Sequence, residues 1–171
     1  MTISFDGKVI RSTGKMEKYK SPLHIVSAHI AELGLTFGQQ TVAEKSNEIP
    51  AVRELLGLLD VNGCLVVADA LHCQKETAKA IVEKNADYLL SVKDNQETLK
   101  EEIADYVQDD SLRKTMETDS TYEKKSGRIE RRDAYVSHEI DWLYAKYEWE
   151  NLVCIGKAQQ TSGITIYPVE N

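Results

Sequence analysis

Small and apolar residues run without a break from Cys64 to Ala68 and stop at a single carboxylate, Asp69. Such a run suits a strand buried on both faces of a sheet. From Gln74 to Lys84 the period changes: Ala78, Ile81 and Val82 share one side of a helix, and Lys75, Glu76, Lys79 and Glu83 the other. Asp69 therefore stands where a central strand hands over to a helix, the crevice in which α/β proteins place their chemistry. A helix cap also suits that position. Asp69 precedes the apolar helical pattern by several residues, however, which favours a functional role.

Upstream, residues 3–5 with Asp6, then Val9 and Ile10, read as a short strand broken at Gly7, where Asp-Gly also suits a turn. Residues 11–20 are polar and basic and read as a loop. Residues 23–30 and 35–42 read as strands joined by a hairpin turn at Glu32-Leu33-Gly34. His24 and His29 have no carboxylate or cysteine at ligand spacing and read as ordinary strand histidines. Asn47 is a natural N-cap for the next helix. Glu48 complements its dipole, Pro50 fits its first turn, and Val52, Leu55, Leu56 and Leu59 form its apolar stripe.

Downstream, residues 87–92 read as a second buried strand ending at Lys93-Asp94-Asn95-Gln96. Asn95 suits the cap of a helix whose face carries Leu99, Ile103, Tyr106 and Val107. From Asp109 the pattern turns antiparallel, with strands at 115–122 and 129–136 around a basic turn, Lys124-Lys125-Ser126-Gly127-Arg128. Residues 140–149 suit a short helix. Residues 153–158 and 164–169 suit a hairpin about Thr161-Ser162-Gly163.

Three antiparallel strands followed by strand–helix units is the order of an RNase H-like fold. It predicts an α/β mixed sheet flanked by helices, with an antiparallel β addition in the C-terminal third. The expected organisation is a single domain over 1–171, with a core to about residue 108 and a β-rich insertion over 109–171. In that fold the first strand lies beside the fourth, which brings Asp6 next to Asp69. Two converging carboxylates suit Mg²⁺ or Mn²⁺.

Charge and cysteine content narrow the function classes. The net charge of −7 makes the chain a poor non-specific binder of DNA, so DNA contact must use local basic patches. Cys64, Cys73 and Cys154 form no CxxC pair, which suits a reduced, cytoplasmic setting and argues against structural zinc. No apolar run reaches the length of a membrane span, so no membrane partner is expected. No Gly-rich phosphate loop is present, against a P-loop or Rossmann enzyme.

Seven segments in order carry a resemblance. They are Phe5-Asp6-Gly7-Lys8, Leu23-His24-Ile25-Val26-Ser27-Ala28, Glu44-Lys45-Ser46-Asn47-Glu48-Ile49-Pro50, Asp69-Ala70-Leu71-His72-Cys73-Gln74-Lys75, Asp87-Tyr88-Leu89-Leu90, Lys93-Asp94-Asn95-Gln96 and Gly127-Arg128-Ile129-Glu130-Arg131-Arg132. With them the chain resembles the H-repeat-associated transposases, an insertion-sequence branch of the DDE transposases. Asp94 and Ser126 depart from it, standing where relatives often have glycine and histidine.

The resemblance implies Mg²⁺- or Mn²⁺-dependent cleavage and transfer of DNA strands, with transposon ends and target DNA as partners. It also admits a homodimer in the full-length family member. It makes Asp6 and Asp69 the first two carboxylates of the catalytic triad and the metal ligands. The third is expected on a later helix, in a stretch rich in His, Trp, Glu and Asn, and the chain ends before one. Downstream of Asp69, Glu130 lies in a family-like motif and is the candidate for that third catalytic carboxylate, although its strand-like neighbours suit an arginine partner. Candidate phosphate contacts are Lys8, Arg11, Lys93, Lys124, Lys125, Arg128, Arg131 and Arg132. A truncated transposase lacking the third carboxylate is the expected product, and this chain alone is expected to be inactive; the alternative is a catalytically inactive remnant that keeps the fold with at most weak metal or DNA binding.

Overall fold

A computed structural model describes residues 1–15, 22–42, 48–125 and 128–164. The described chain forms two compact units, one comprising residues 1–97 with 147–151 and the other residues 98–146 with the segment from 152 onward.

The first unit is built on a five-stranded sheet. Its strands are β1 (Thr2–Ile10), β2 (Leu23–Ile30), β3 (Leu35–Thr41), β4 (Leu65–Ala68) and β5 (Asp87–Leu90), in the order β3-β2-β1-β4-β5. β1, β2 and β3 are antiparallel neighbours, while β4 runs parallel to both β1 and β5. This is the RNase H-like arrangement that the order of elements predicts.

Helices α1 (Glu48–Leu58) and α2 (Lys75–Val82) touch one another and the sheet. Ile3, Phe5, Val26, Ala28, Ile30, Val66 and Ala68 from the strands join Val52, Leu55, Leu56 and Ile81 from the helices in one core. Gly38 lets α1 approach β3 closely. A Cβ built there would lie 3.0 Å from Leu59 Cδ2 and 3.1 Å from Leu55 Cδ1.

Several expectations need correction. β4 is buried on one face only: Val66 and Ala68 are buried, but Leu65 and Val67 are half-buried. An apolar run fixes a strand's existence, not the number of covered faces. β5 is an edge strand with Leu89 59% exposed, not a second buried strand. β1 passes through Gly7 without a break, because Gly7 pairs with Val26 in the ladder to β2. The turn at residues 31–34 forms as expected, with Gly34 at φ 61°. Of the basic segment after β1, residues 11–15 form a 3₁₀ turn and 16–20 lie outside the described residues, as does Asn47.

The second unit contains α3 (Glu97–Gln108), α4 (Asp110–Arg113) and the antiparallel sheet of β6 (Glu117–Lys125), β7 (Arg128–Ser137) and β8 (Ile155–Ile164). Glu97, at the head of α3, belongs to the first unit and the rest of that helix to the second. The Tyr106 ring stacks on Trp142 at 4.6 Å, and its hydroxyl lies 3.1 Å from Ser137 Oγ. The expected hairpin after residue 153 is instead one strand, β8, with Thr161, Ser162 and Gly163 paired to β7. Residues 165–169 lie outside the described residues. The expected helix at 140–149 is reduced to a 3₁₀ turn at Tyr144–Glu148. Among the described residues, no helix is long and apolar enough to cross a membrane.

Candidate functional site

The parallel ladder between β1 and β4 ends with Phe5 opposite Ala68. Asp6 and Asp69 are the next residues on the two chains, on adjacent parallel strands about 4.8 Å apart. Both are exposed. Asp69 has already left the strand. Its Oδ1 accepts a hydrogen bond from the Leu71 N–H at 3.2 Å and caps a 3₁₀ turn, Ala70–His72, leaving Oδ2 for another partner. Asp69 thus does cap a helix, though not α2, whose N-cap is Gln74.

That turn is held from the far side. Asn95 Nδ2 donates to the carbonyls of Ala70 (2.7 Å) and Cys73 (3.3 Å), and Gln96 Nε2 to the Cys73 carbonyl (3.0 Å). Asn95 therefore does not cap α3 as its sequence suggests; it braces the loop that presents Asp69. Asn95→Ala is expected to cost about 1 kcal/mol in urea unfolding and to speed amide exchange at Leu71, His72 and Cys73. Unchanged exchange there would argue against the brace. Cys73 itself is buried and its thiol is pushed up to about 11, so it is no nucleophile at neutral pH.

Three residues that sequence reasoning did not assign to a site converge on the same place. Glu48 opens α1 and is 17% exposed at its side chain. Its Oε1 lies 2.5 Å from His24 Nε2, so His24 is not an ordinary strand histidine. Its other oxygen, Oε2, lies against β1, where a Cβ added to Gly7 would stand 1.9 Å away. His72 is 1% exposed, with Nε2 3.8 Å from both Glu48 Oε2 and Asp69 Oδ1. Its Nδ1 is buried without a partner. Burial pushes His72 below its ordinary value, against the opposing pull of Asp69, Glu48 and Asp6. The ring is therefore neutral near pH 7 and senses all three carboxylates. The one sequence signal that links these residues is that each lies inside a segment carrying the transposase resemblance.

Carboxylate oxygens suit hard divalent ions such as Mg²⁺ and Mn²⁺, and the donors of Asp6 and Asp69 fit that chemistry. Among the described residues, no three His, Cys, Asp or Glu side chains stand at metal-holding separations.

Of the basic candidates, Lys8, Arg11 and Lys93 are exposed and share the first unit with the aspartates. Lys8 stands two residues beyond Asp6 on β1, on the same face by strand alternation. Lys93 stands two residues before Asn95, which braces the Asp69 turn. The remainder belong to the second unit. Arg131 donates from Nε to Asp133 at 2.7 Å and lies over the Tyr122 ring. Arg132 pairs with Glu123 at 3.1 Å and with Glu130 at 3.2 Å, the arginine partner expected for Glu130. Lys124 is exposed. The side chains of Lys125 and Arg128 lie outside the described residues.

The family described as "Transposase DDE domain" matches residues 2–149. The chain belongs to this family. A Xanthobacter autotrophicus relative, "Uncharacterized protein in dhlA 3'region", is 35% identical over 150 residues, covering 88% of this chain and 50% of its own length. "Putative transposase YncI" of Escherichia coli O157:H7 is 49% identical over 94 residues, covering 55% of this chain and 24% of its own length. "H repeat-associated putative transposase YbfD" of Escherichia coli K12 is 40% identical over 94 residues, covering 55% and 37%. These names place the DDE domain in the insertion-sequence branch. The chain spans half or less of the length of these relatives. Among solved structures, a piggyBac transposase synaptic complex with hairpin DNA aligns with a TM-score of 0.47 and 11% identity, over 77% of this chain and 30% of that one. The fold assignment rests on strand order and direction, not on this alignment.

Proposed function

We propose that this DDE domain provides a divalent-metal centre for cleavage and transfer of DNA strands, with Asp6 and Asp69 as the metal-holding carboxylates. The observation that supports the reading is the β1–β4 register: Phe5 faces Ala68, so Asp6, midway along β1, and Asp69, just past β4, are the next residues on neighbouring strands. A bound Mg²⁺ or Mn²⁺ supplies Lewis acidity at the reacting phosphate and lowers the pKa of an attacking water or 3′-hydroxyl. Asp6 and Asp69 contribute anionic oxygens on short tethers. Asn95 and Gln96 keep the Asp69 loop in place. Lys8, Arg11 and Lys93 supply positive charge for the phosphates of transposon ends and target DNA. The negative chain as a whole opposes DNA approach, so this local charge sets where DNA docks.

A second reading has its own support in the absence of a three-residue ligand set at metal-holding separation among the described residues. In it the domain is a remnant with weak metal binding and no turnover. Supercoiled DNA incubated with Mn²⁺ and the purified chain, beside Asp69→Asn, separates the two. Nicking by the parent that disappears in the variant is the expected result. Nicking that survives Asp69→Asn would sink the proposed centre. Mn²⁺ binding without nicking would favour the remnant.

A further inference from the structure

We propose that a cavity in the second unit, walled by the stacked rings of Tyr106 and Trp142 and rimmed by Glu102, Asp105 and Asp109, binds an arginine side chain presented by a basic polypeptide segment of a partner. The inference is independent of the proposed metal centre, because every residue it uses belongs to the second unit.

The site begins with the sequence of α3. Glu102, Asp105 and Tyr106 share one face of the helix, and Asp109, the N-cap of α4, follows one turn beyond Asp105. With Leu112 and Trp142 they line a cavity of about 570 Å³, within the size range of ligand sites. Leu112 and Trp142 are 37% and 42% exposed, so their apolar surface is open to a ligand. Both rings have their polar ends tied elsewhere. The Tyr106 hydroxyl lies 3.1 Å from Ser137 Oγ, and Trp142 Nε1 donates to the Glu139 carbonyl at 2.6 Å. What the rings offer a ligand is their π surface, held in place by the stack.

Three carboxylates select the charge of that ligand. Asp109 uses Oδ1 to accept from the Ser111 and Leu112 N–H groups, at 2.8 and 3.2 Å, and keeps Oδ2. Glu102 and Asp105 are in no ion pair among the described residues, and one oxygen of Glu102 is buried with no hydrogen bond. α3 has no basic residue in its last turn, so the negative end of its dipole adds to the same field. A phosphate is repelled from such a rim and a cation is drawn to it. Among protein cations the guanidinium fits both parts of the cavity: it is planar, stacks on aromatic faces and donates to two carboxylates at once. An ammonium is a compact, strongly hydrated point charge. The volume exceeds that of a guanidinium alone and leaves room for the arginine methylenes and flanking main chain beside Leu112, which favours a polypeptide over a free small cation.

Calorimetric titration of the whole chain with a blocked Gly-Arg-Arg-Gly peptide tests this, with tryptophan fluorescence as a second readout. Trp142 is one of two tryptophans, and the other, Trp149, is buried. Saturable binding with a change in emission is expected. Asp105→Asn is expected to weaken binding about tenfold, and Trp142→Leu about threefold or more. Asp105 is exposed, so Asp105→Asn stays informative if Trp142→Leu folds poorly. Glu101→Gln removes the same charge from α3 outside the cavity and is expected to bind as the parent does. No binding by the parent overturns the proposal. So does equal binding of the matched lysine peptide, or a loss in Glu101→Gln as large as that in Asp105→Asn. Quenching by a single-stranded oligonucleotide but not by the peptide would make the cavity a base-stacking site and overturn it as well.

Discussion

Val66→Asp is expected to unfold the first unit, at a cost of more than about 4 kcal/mol, whereas Val67→Asp one residue later is expected to cost about 1 kcal/mol or less. Val66 is 1% exposed in the middle of β4, on the face that joins Ile3, Phe5, Leu56 and Ile81 in the core. A carboxylate there is either ionised without a partner or neutral with its hydrogen bonds unmade, and both are unfavourable in an apolar layer. Val67 points the other way and is half-buried, so an aspartate at that position reaches water. Urea unfolding of the two variants measures the contrast. Equal losses would restore the picture of a strand covered on both faces.

That contrast marks where sequence pattern stops being informative. The run from Cys64 to Ala68 identifies a strand, and strand order identifies its neighbours, so the placement of Asp6 beside Asp69 was legible. Burial of the second face depends on what else packs there, and no period in a short apolar run encodes it. The same limit explains β5, whose four residues read as buried although Leu89 is exposed at the sheet edge. Thr161-Ser162-Gly163 has turn-forming residues, yet the long partner β7 holds it in a ladder. Tertiary pairing there outweighs local preference.

The site shows a similar division. Asp69 could be found from its position at the end of an apolar strand. Glu48 could not: at the start of a helix a glutamate is sufficiently explained by the helix dipole. Its carboxylate meets Gly7 only through the packing of α1 on the sheet. His24 gains a partner for the same reason. Asn95 looked like a cap because asparagine beside a helix usually is one. In the fold its amide reaches back across the sheet edge to Ala70 and Cys73. Each of these contacts joins residues more than twenty positions apart, and local spacing carries no record of them.

Asp6→Asn is expected to separate stability from metal response. In metal-free buffer Asp6 and Asp69 are two like charges on adjacent strands, one residue past the Phe5–Ala68 pair. Removing one charge relieves repulsion. The backbone pairing of Asp6 with Ser27 is unaffected by the side-chain change. The variant should therefore melt at the parental temperature or slightly above it. Added Mn²⁺ reverses the order. A ligand that binds the folded state alone stabilises it by about 2.7 kcal/mol at one hundred times its Kd, and the parent should gain that amount. Asp6→Asn, with a poorer oxygen donor and one less charge, should gain little at the same concentration. Residues placed for function are often poorly placed for stability, and a metal ligand beside a second carboxylate should show this as opposite shifts in one melting experiment. Equal stabilisation of both proteins by Mn²⁺ would remove Asp6 from the site. A metal-free loss as large as that of Val66→Asp would make it structural.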